Sequence, residues 1–280
     1  MIPYTLSLWP KRPLVWTDNG RVNISVVFTW HLPEIRRYCA ALAEKAIVGG
    51  PAIKMMPDYL SDVAEIGGEL PKVLQRHNAL ATRTTVGCPN HCDFCGVPEI
   101  EGDFRELEDW PDLPIVCDNN LLAASRKHFD RVIDRLKRHK GIDFNQGLDA
   151  RLLNRRHAYA LSGLVGVFRL AWDSPAQEAP VLRAVALLTG AGIPLSRLRC
   201  YVLVGYHDTP EESHYRMNTL VRAGILPNPQ RYVPLNSLTG SYAGPGWTNR
   251  ELRRLCRYYA RESLYAIRRG SFRIPFEEFV

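Results

Sequence analysis

What this 280-residue chain lacks narrows it first. No apolar run approaches the ~18 residues needed to cross a bilayer. The start, Met1-Ile2-Pro3-Tyr4-Thr5-Leu6-Ser7-Leu8-Trp9-Pro10, has no basic opening, no long apolar stretch and no small-residue cleavage site. Neither a membrane span nor a secretory leader is expected. Its 20 glycines and 20 prolines are scattered, without a low-complexity linker or an internal repeat. Cysteines number seven, an odd count that does not suit a disulfide framework. Acidic residues fall short of basic ones, 29 against 36, and the net charge of +7 favours anionic partners. These absences fit a cytoplasmic, reducing location.

What is there is ordinary in bulk and unusual in one place. With 46% hydrophobic and 23% charged residues, the chain can bury a sizeable core, as one domain or as a domain with a small appendage. The unusual place is Cys88-Pro89-Asn90-His91-Cys92-Asp93-Phe94-Cys95, a C-x3-C-x2-C run directly after the strand-like stretch from Thr82 to Gly87. Three thiolates this close face one metal centre only if the chain loops around it. Structural zinc normally closes with four ligands, and the usual 4Fe-4S site takes four cysteines. Three cysteines imply a cluster with one open iron. The alternative is a zinc knuckle completed by His91 or a distant cysteine. Cys39, Cys117, Cys200 and Cys256 sit in apolar contexts and read as small buried hydrophobes.

Downstream, strand and helix patterns alternate, which predicts an α/β fold with a parallel sheet. Strands are expected at Arg83–Val86, Leu113–Cys117, Ile142–Asn145, Gly166–Ala171, Arg199–Gly205 and Arg231–Leu235. The clearest helix carries Phe129, Val132, Ile133 and Leu136 at helical spacing, and others fall near Leu148–Leu161, Gln177–Leu188 and Pro210–Ala223. Polar runs follow these strands: Asp118-Asn119-Asn120, the stretch from Asn145 to Arg151, Trp172-Asp173-Ser174, and Gly205 to Asp208. For any one acid here, capping the next helix is the competing explanation.

The cysteine spacing, the threonines and glycine ahead of it and Phe94 before the third cysteine resemble the signature of the radical S-adenosylmethionine enzymes. That resemblance implies a partial (β/α)6 TIM-like barrel over residues 81–240, with its chemistry at the C-terminal strand ends. It implies a 4Fe-4S cluster on Cys88, Cys92 and Cys95, and S-adenosylmethionine on the open iron. An external electron donor such as flavodoxin or ferredoxin, and hydrogen abstraction from a substrate, follow from it. Cofactor contacts are implied at Phe94, Asp118, Asn119, Asn120, Arg151, Asp173 and Gly205. Asp118-Asn119-Asn120 stands where the family often has Gly-Gly-Glu, and Tyr201 and the displaced Glu211 depart from its adenine-contacting segment. Tyr206, Cys117 and Cys200 are candidates for quenching a product radical. The rival reading is a non-catalytic zinc or iron–sulfur module that binds nucleic acid or transfers electrons.

Residues 1–80 predict strand Val22–Phe28, helix Pro33–Glu44 and strand Lys45–Val48, with glycine turns at Gly49-Gly50 and Gly67-Gly68. They resemble the second half of the Rossmann-like cobalamin domain that precedes many such barrels, truncated and without its D-x-H-x-x-G segment. Cobalamin is accordingly not expected as a cofactor. Residues 241–280 form a helical extension. There Leu252, Leu255, Cys256 and Tyr259 give an apolar stripe, and Arg250, Arg253, Arg254, Arg257, Arg261, Arg268, Arg269 and Arg273 outnumber Glu251 and Glu262. A solvated face is the plain explanation and a nucleic-acid footprint the other. Tyr258, Tyr259 and Tyr265 serve either to stack on bases or to complete the core.

Overall fold

The computed structural model describes residues 9–67 and 72–279, and the expected turn at Gly67-Gly68 lies partly outside them. A four-stranded sheet comes first, in the order β1-β2-β3-β4. Its strands are β1 (Leu14–Asp18), β2 (Arg21–Ser25), β3 (Ile47–Gly49) and β4 (Glu65–Ile66), with helices α1 (Leu32–Ala40) and α2 (Pro51–Met55) between them. β1 and β2 form a hairpin, and the next two pairings are parallel. Asn19 and Gly20, both at positive φ, make the hairpin turn, a conformation this pair adopts at little cost. The sheet has its own core, including Ile24, Val26, Leu32, Val48 and Leu60.

The short helix α3 (Val73–His77) leads into the main sheet. Six parallel strands lie there in chain order: β5 (Ala81–Thr82), β8 (Ile115–Val116), β9 (Ile142–Phe144), β10 (Gly166–Ala171), β11 (Leu198–Val204) and β12 (Leu226–Arg231). β5 and β12 are its two edges, so the sheet is open. A small antiparallel pair, β6 (Thr85–Val86) with β7 (Arg105–Glu106), brackets helix α4 (Val97–Glu101). Helices α5 (Arg126–Leu136), α6 (Arg155–Ser162), α7 (Glu178–Gly190) and α8 (Pro210–Arg222) connect successive strands from β8 to β12. Helix α9 (Asn249–Arg269) follows, and one continuous core joins the sheet to these helices through Phe129, Phe168, Trp172, Leu220 and Tyr259.

Three expectations are corrected. The stretch Arg83–Val86 is not one strand: the main-sheet strand ends at Thr82, and the chain turns off to pair with β7. The helix expected near Leu148–Leu161 begins only at Arg155, where the Asn154 side chain accepts the His157 amide. The last strand is Leu226–Arg231 rather than Arg231–Leu235. Pro227 and Pro229 argue against a strand on sequence alone. Their missing amides point to one side, while the alternate Tyr232 amide donates to Val204 on β11. The prolines therefore face the open edge, where no partner needs a donor.

Candidate functional site

Because all six strands run parallel, their C-terminal ends share one edge of the sheet. The cysteine loop leaves from that edge. Gly87, at φ +78°, opens it, and a Cβ there would meet the Asp103 carbonyl at 2.6 Å, so only glycine fits the turn. The loop is closed by a carboxylate that sequence reasoning passed over. Glu101 accepts from the Gly87 amide at 2.8 Å and from Asn119 Nδ2 at 2.7 Å, and pairs with Arg83 at 2.9 Å. Both ends of the cysteine loop are thus tied to each other and to the strand end of β8.

Asp118 plays a related part. It is buried, and its oxygens accept from the Thr84 amide, the Thr84 hydroxyl and the Thr85 amide. Its carboxylate braces the β5–β6 corner instead of pointing into open space. Burial raises its pKa, and those hydrogen bonds oppose the rise. Asn119 is engaged by Glu101.

Asn120 reaches the cysteines. Its Nδ2 lies 3.5 Å from Cys88 Sγ and 3.1 Å from Asp149 Oδ2, while its buried Oδ1 has no partner among the described residues. Asn90, inside the cysteine loop, donates to the same Asp149 oxygen at 2.9 Å. Asp149 grips Arg151 through Nε at 2.8 Å and Nη2 at 2.9 Å. Burial pushes the Asp149 carboxyl up, but its bonds to Arg151 and Asn90 outweigh this and hold it below the usual range. Arg151, implied by the resemblance as a cofactor contact, is thus already held by the acid two residues before it.

Arg151 also acts on Cys92, and Asp173 lies within electrostatic reach of Cys92 and Cys95. Burial raises both thiols, and Arg151 pulls Cys92 partly back. Burial likewise raises Asp173 to about 6 against the attraction of Arg216. Arg216 in turn is held by Asp208 and donates to the Trp172 carbonyl at 3.0 Å, pinning the ends of β10 and β11 together. Phe94 meets Tyr206 edge-on at 5.7 Å. Gly205, at φ +79°, packs so closely that a Cβ would stand 2.8 Å from Leu252 of α9.

Cys88, Cys92, Cys95, Asn120, Arg151 and Asp173 thus come together, with Asn90 and Asp149 added by the structure. Asp118 and Asn119 hold the loop from behind, and Phe94 and Gly205 flank it. Cys117 and Cys200 lie in the core with raised pKa values, Cys117 at about 12. Asp149 was legible in hindsight, as the acid two residues before Arg151 on a strand end. Glu101, in a short helix after the loop, carried no spacing signal.

None of the seven cysteines is paired in a disulfide. Among the described residues, no three Cys, His, Asp or Glu side chains converge on one ion-sized point. The cysteines of an iron–sulfur cube each bind a different iron, so they need to surround a volume and not a point. The three cysteines lie on one loop, with the cationic Arg151 beside Cys92 and the Asn120 acceptor open. A cavity of about 1330 Å³ lies elsewhere, between α8, α9 and the C-terminal tail.

Compared with protein-family models, curated proteins and solved structures, the chain gave no match. No helix among the described residues is long and apolar enough to cross a membrane.

Proposed function

We propose that this protein is a radical S-adenosylmethionine enzyme built on a partial (β/α)6 barrel. The observation that carries the reading is the meeting of Cys88, Cys92 and Cys95 with Asn120, Asp149, Arg151 and Asp173, which come from three other strand ends of one parallel sheet. When bound, a 4Fe-4S cluster on the cysteines supplies the electron that splits the sulfonium of S-adenosylmethionine. The chain's own residues hold and screen that chemistry. Arg151 lowers the cost of thiolate charge at Cys92, and the Asn120 amide donates to Cys88. The open Asn120 Oδ1 is an acceptor for the cofactor's ammonium, which would otherwise leave that atom buried without a bond. Asp173 and the Asp149–Arg151 pair supply charges of both signs for an amino-acid zwitterion. Phe94 and Tyr206 wall one side with rings. An external donor such as flavodoxin or ferredoxin delivers the electron, and the oxygen-sensitive cluster calls for a reducing cytoplasm.

Anaerobic reconstitution tests this directly. About four irons and four sulfides per chain are expected, and with a strong reductant the protein should convert S-adenosylmethionine to 5′-deoxyadenosine and methionine. Replacing Cys88, Cys92 or Cys95 by Ala should abolish both. One zinc per chain, or a Cys→Ala variant with a full cluster and normal turnover, would move the protein to the non-catalytic metal-binding class.

A further inference from the structure

The tyrosines singled out in the sequence as base-stacking candidates are mostly not available. Tyr258 and Tyr259 are buried in the core, at 3% and 1% exposure. A different aromatic set stands beside the cysteine loop. Phe94 touches Tyr206 at 5.7 Å, Tyr206 touches Tyr232 at 4.6 Å, and Tyr232 touches Tyr242 at 5.4 Å. Tyr206, Tyr232 and Tyr242 are only partly buried, so each keeps ring surface accessible. They stand at the ends of β11 and β12 and on the loop that follows, a line of ring contacts that begins at the cysteine loop.

That line is bolted to the N-terminus of α9. Arg231, the last residue of β12, donates to the Tyr242 carbonyl and to Asn249 Oδ1, and Asn249 is the first residue of the helix. Leu252, one turn later, packs on Gly205 next to Tyr206. From there Arg250, Arg253, Arg257, Arg261 and Arg268 follow one another at intervals of three, four, four and seven residues, all exposed. Such intervals keep them on a single helix face for about 27 Å. The acids of the helix are engaged elsewhere: Glu251 caps it through Thr248, and Glu262 is buried against Arg273. Glu262 lies within electrostatic reach of Arg261, but two acids leave the five arginines in excess, and the overall charge of +7 has the same sign.

An arginine stripe that ends on a line of accessible rings matches a flexible polyanion whose planar groups unstack. An anionic membrane matches only the stripe, because a lipid surface offers no planar groups to stack on the rings. We infer that single-stranded nucleic acid binds here, its phosphates along α9 and a base stacked at Tyr206, Tyr232 and Tyr242 beside the cysteine loop. As the substrate class of the proposed enzyme this rests on that reading, whereas the binding itself does not.

Binding is read by fluorescence anisotropy with labelled oligo-uridine and oligo-deoxythymidine of about twelve nucleotides, long enough to span the stripe. The full-length chain is used both as purified and after cluster reconstitution. Affinity should fall as salt rises. Changing Arg250, Arg253, Arg257 and Arg261 together to Gln should flatten the salt slope by about 0.7 for each phosphate no longer neutralised. Tyr232→Leu or Tyr206→Leu should weaken binding roughly 5- to 150-fold with little change in that slope. Tyr159→Leu, an exposed ring on α6 away from the stripe, serves as a control that leaves binding unchanged. The inference is overturned if neither oligonucleotide binds, if the tyrosine variants bind as tightly as wild type, or if vesicles containing phosphatidylserine displace the oligonucleotides. Cofactor cleavage without oligonucleotide binding would sink the inference and leave the enzyme reading in place; the reverse result would do the opposite.

Discussion

Asn120 is the residue on which the cofactor reading presses hardest. Its amide donates to Cys88 and Asp149, and its carbonyl oxygen is buried with no partner among the described residues. A buried acceptor without a donor costs on the order of 1–3 kcal/mol, so it persists most easily where a ligand completes it. Asn120→Ala is therefore expected to weaken S-adenosylmethionine binding about ten- to a hundredfold while iron content stays at the wild-type level. Equilibrium dialysis alongside iron analysis checks this. Unchanged affinity would make Asn120 only a brace of Cys88 and Asp149. Asp118 and Asn119 answer differently, because their polar atoms already hold Thr84, Thr85 and Glu101. Three adjacent residues that read alike in sequence thus divide into two braces and one open acceptor.

At the scale of elements, α9 shows how a basic helix is held down. Thr248 and Glu251 form a reciprocal cap at its start, and Gly270 in the left-handed region ends it. The tail then folds back, with Arg254 donating to the carbonyls of Phe276, Glu277 and Phe279, and Glu262 pairing with Arg273 at 2.6 Å. The hydrogen bond from Arg273 holds the Glu262 carboxyl below its ordinary value of 4.5, overcoming the opposing effect of burial. A lowered folded-state pKa means stabilisation that is present above the unfolded value and lost as pH falls through the folded one. Glu262→Gln should therefore lower the urea midpoint at pH 7, and the gap to wild type should close as pH falls below about 4.5. A gap independent of pH would assign the loss to packing.

At the scale of the molecule, two sheets with separate cores are joined at a few points. Lys54 of α2 donates to the Ile100 carbonyl of α4 at 2.7 Å, and Thr29 donates to the Ser237 carbonyl at 2.7 Å. The N-terminal sheet therefore touches both the helix after the cysteine loop and the loop after β12. Among the described residues it has four strands, of which β4 is two residues long, and the helices α1 and α2 that connect them. A corrinoid needs a deep cleft enclosed by a complete sheet with helices on both faces. Protein incubated with hydroxocobalamin and desalted is expected to retain no corrinoid absorbance. Retention near one per chain would give this sheet a ligand and turn the reading towards radical methylation.

The chain's own order of residues was enough for the alternating α/β plan, for three cysteines gathered on one loop, and for polar groups at the strand ends. Each is a local property: hydrophobic period, spacing, and the residues that directly follow an apolar run. Glycine and threonine ahead of Cys88 were legible for the same reason. Only the tertiary structure decided what those polar groups do. Whether Asp118 points at a ligand or at Thr84, and whether the Arg151 fork is open or filled by Asp149, depends on which side chains other strands deliver. The line of rings through Tyr206, Tyr232 and Tyr242 was invisible for that reason too, since parallel pairing of β11 with β12 sets it. The last strand was misplaced because its prolines read as breakers. Only its position at the open edge makes their missing donors harmless.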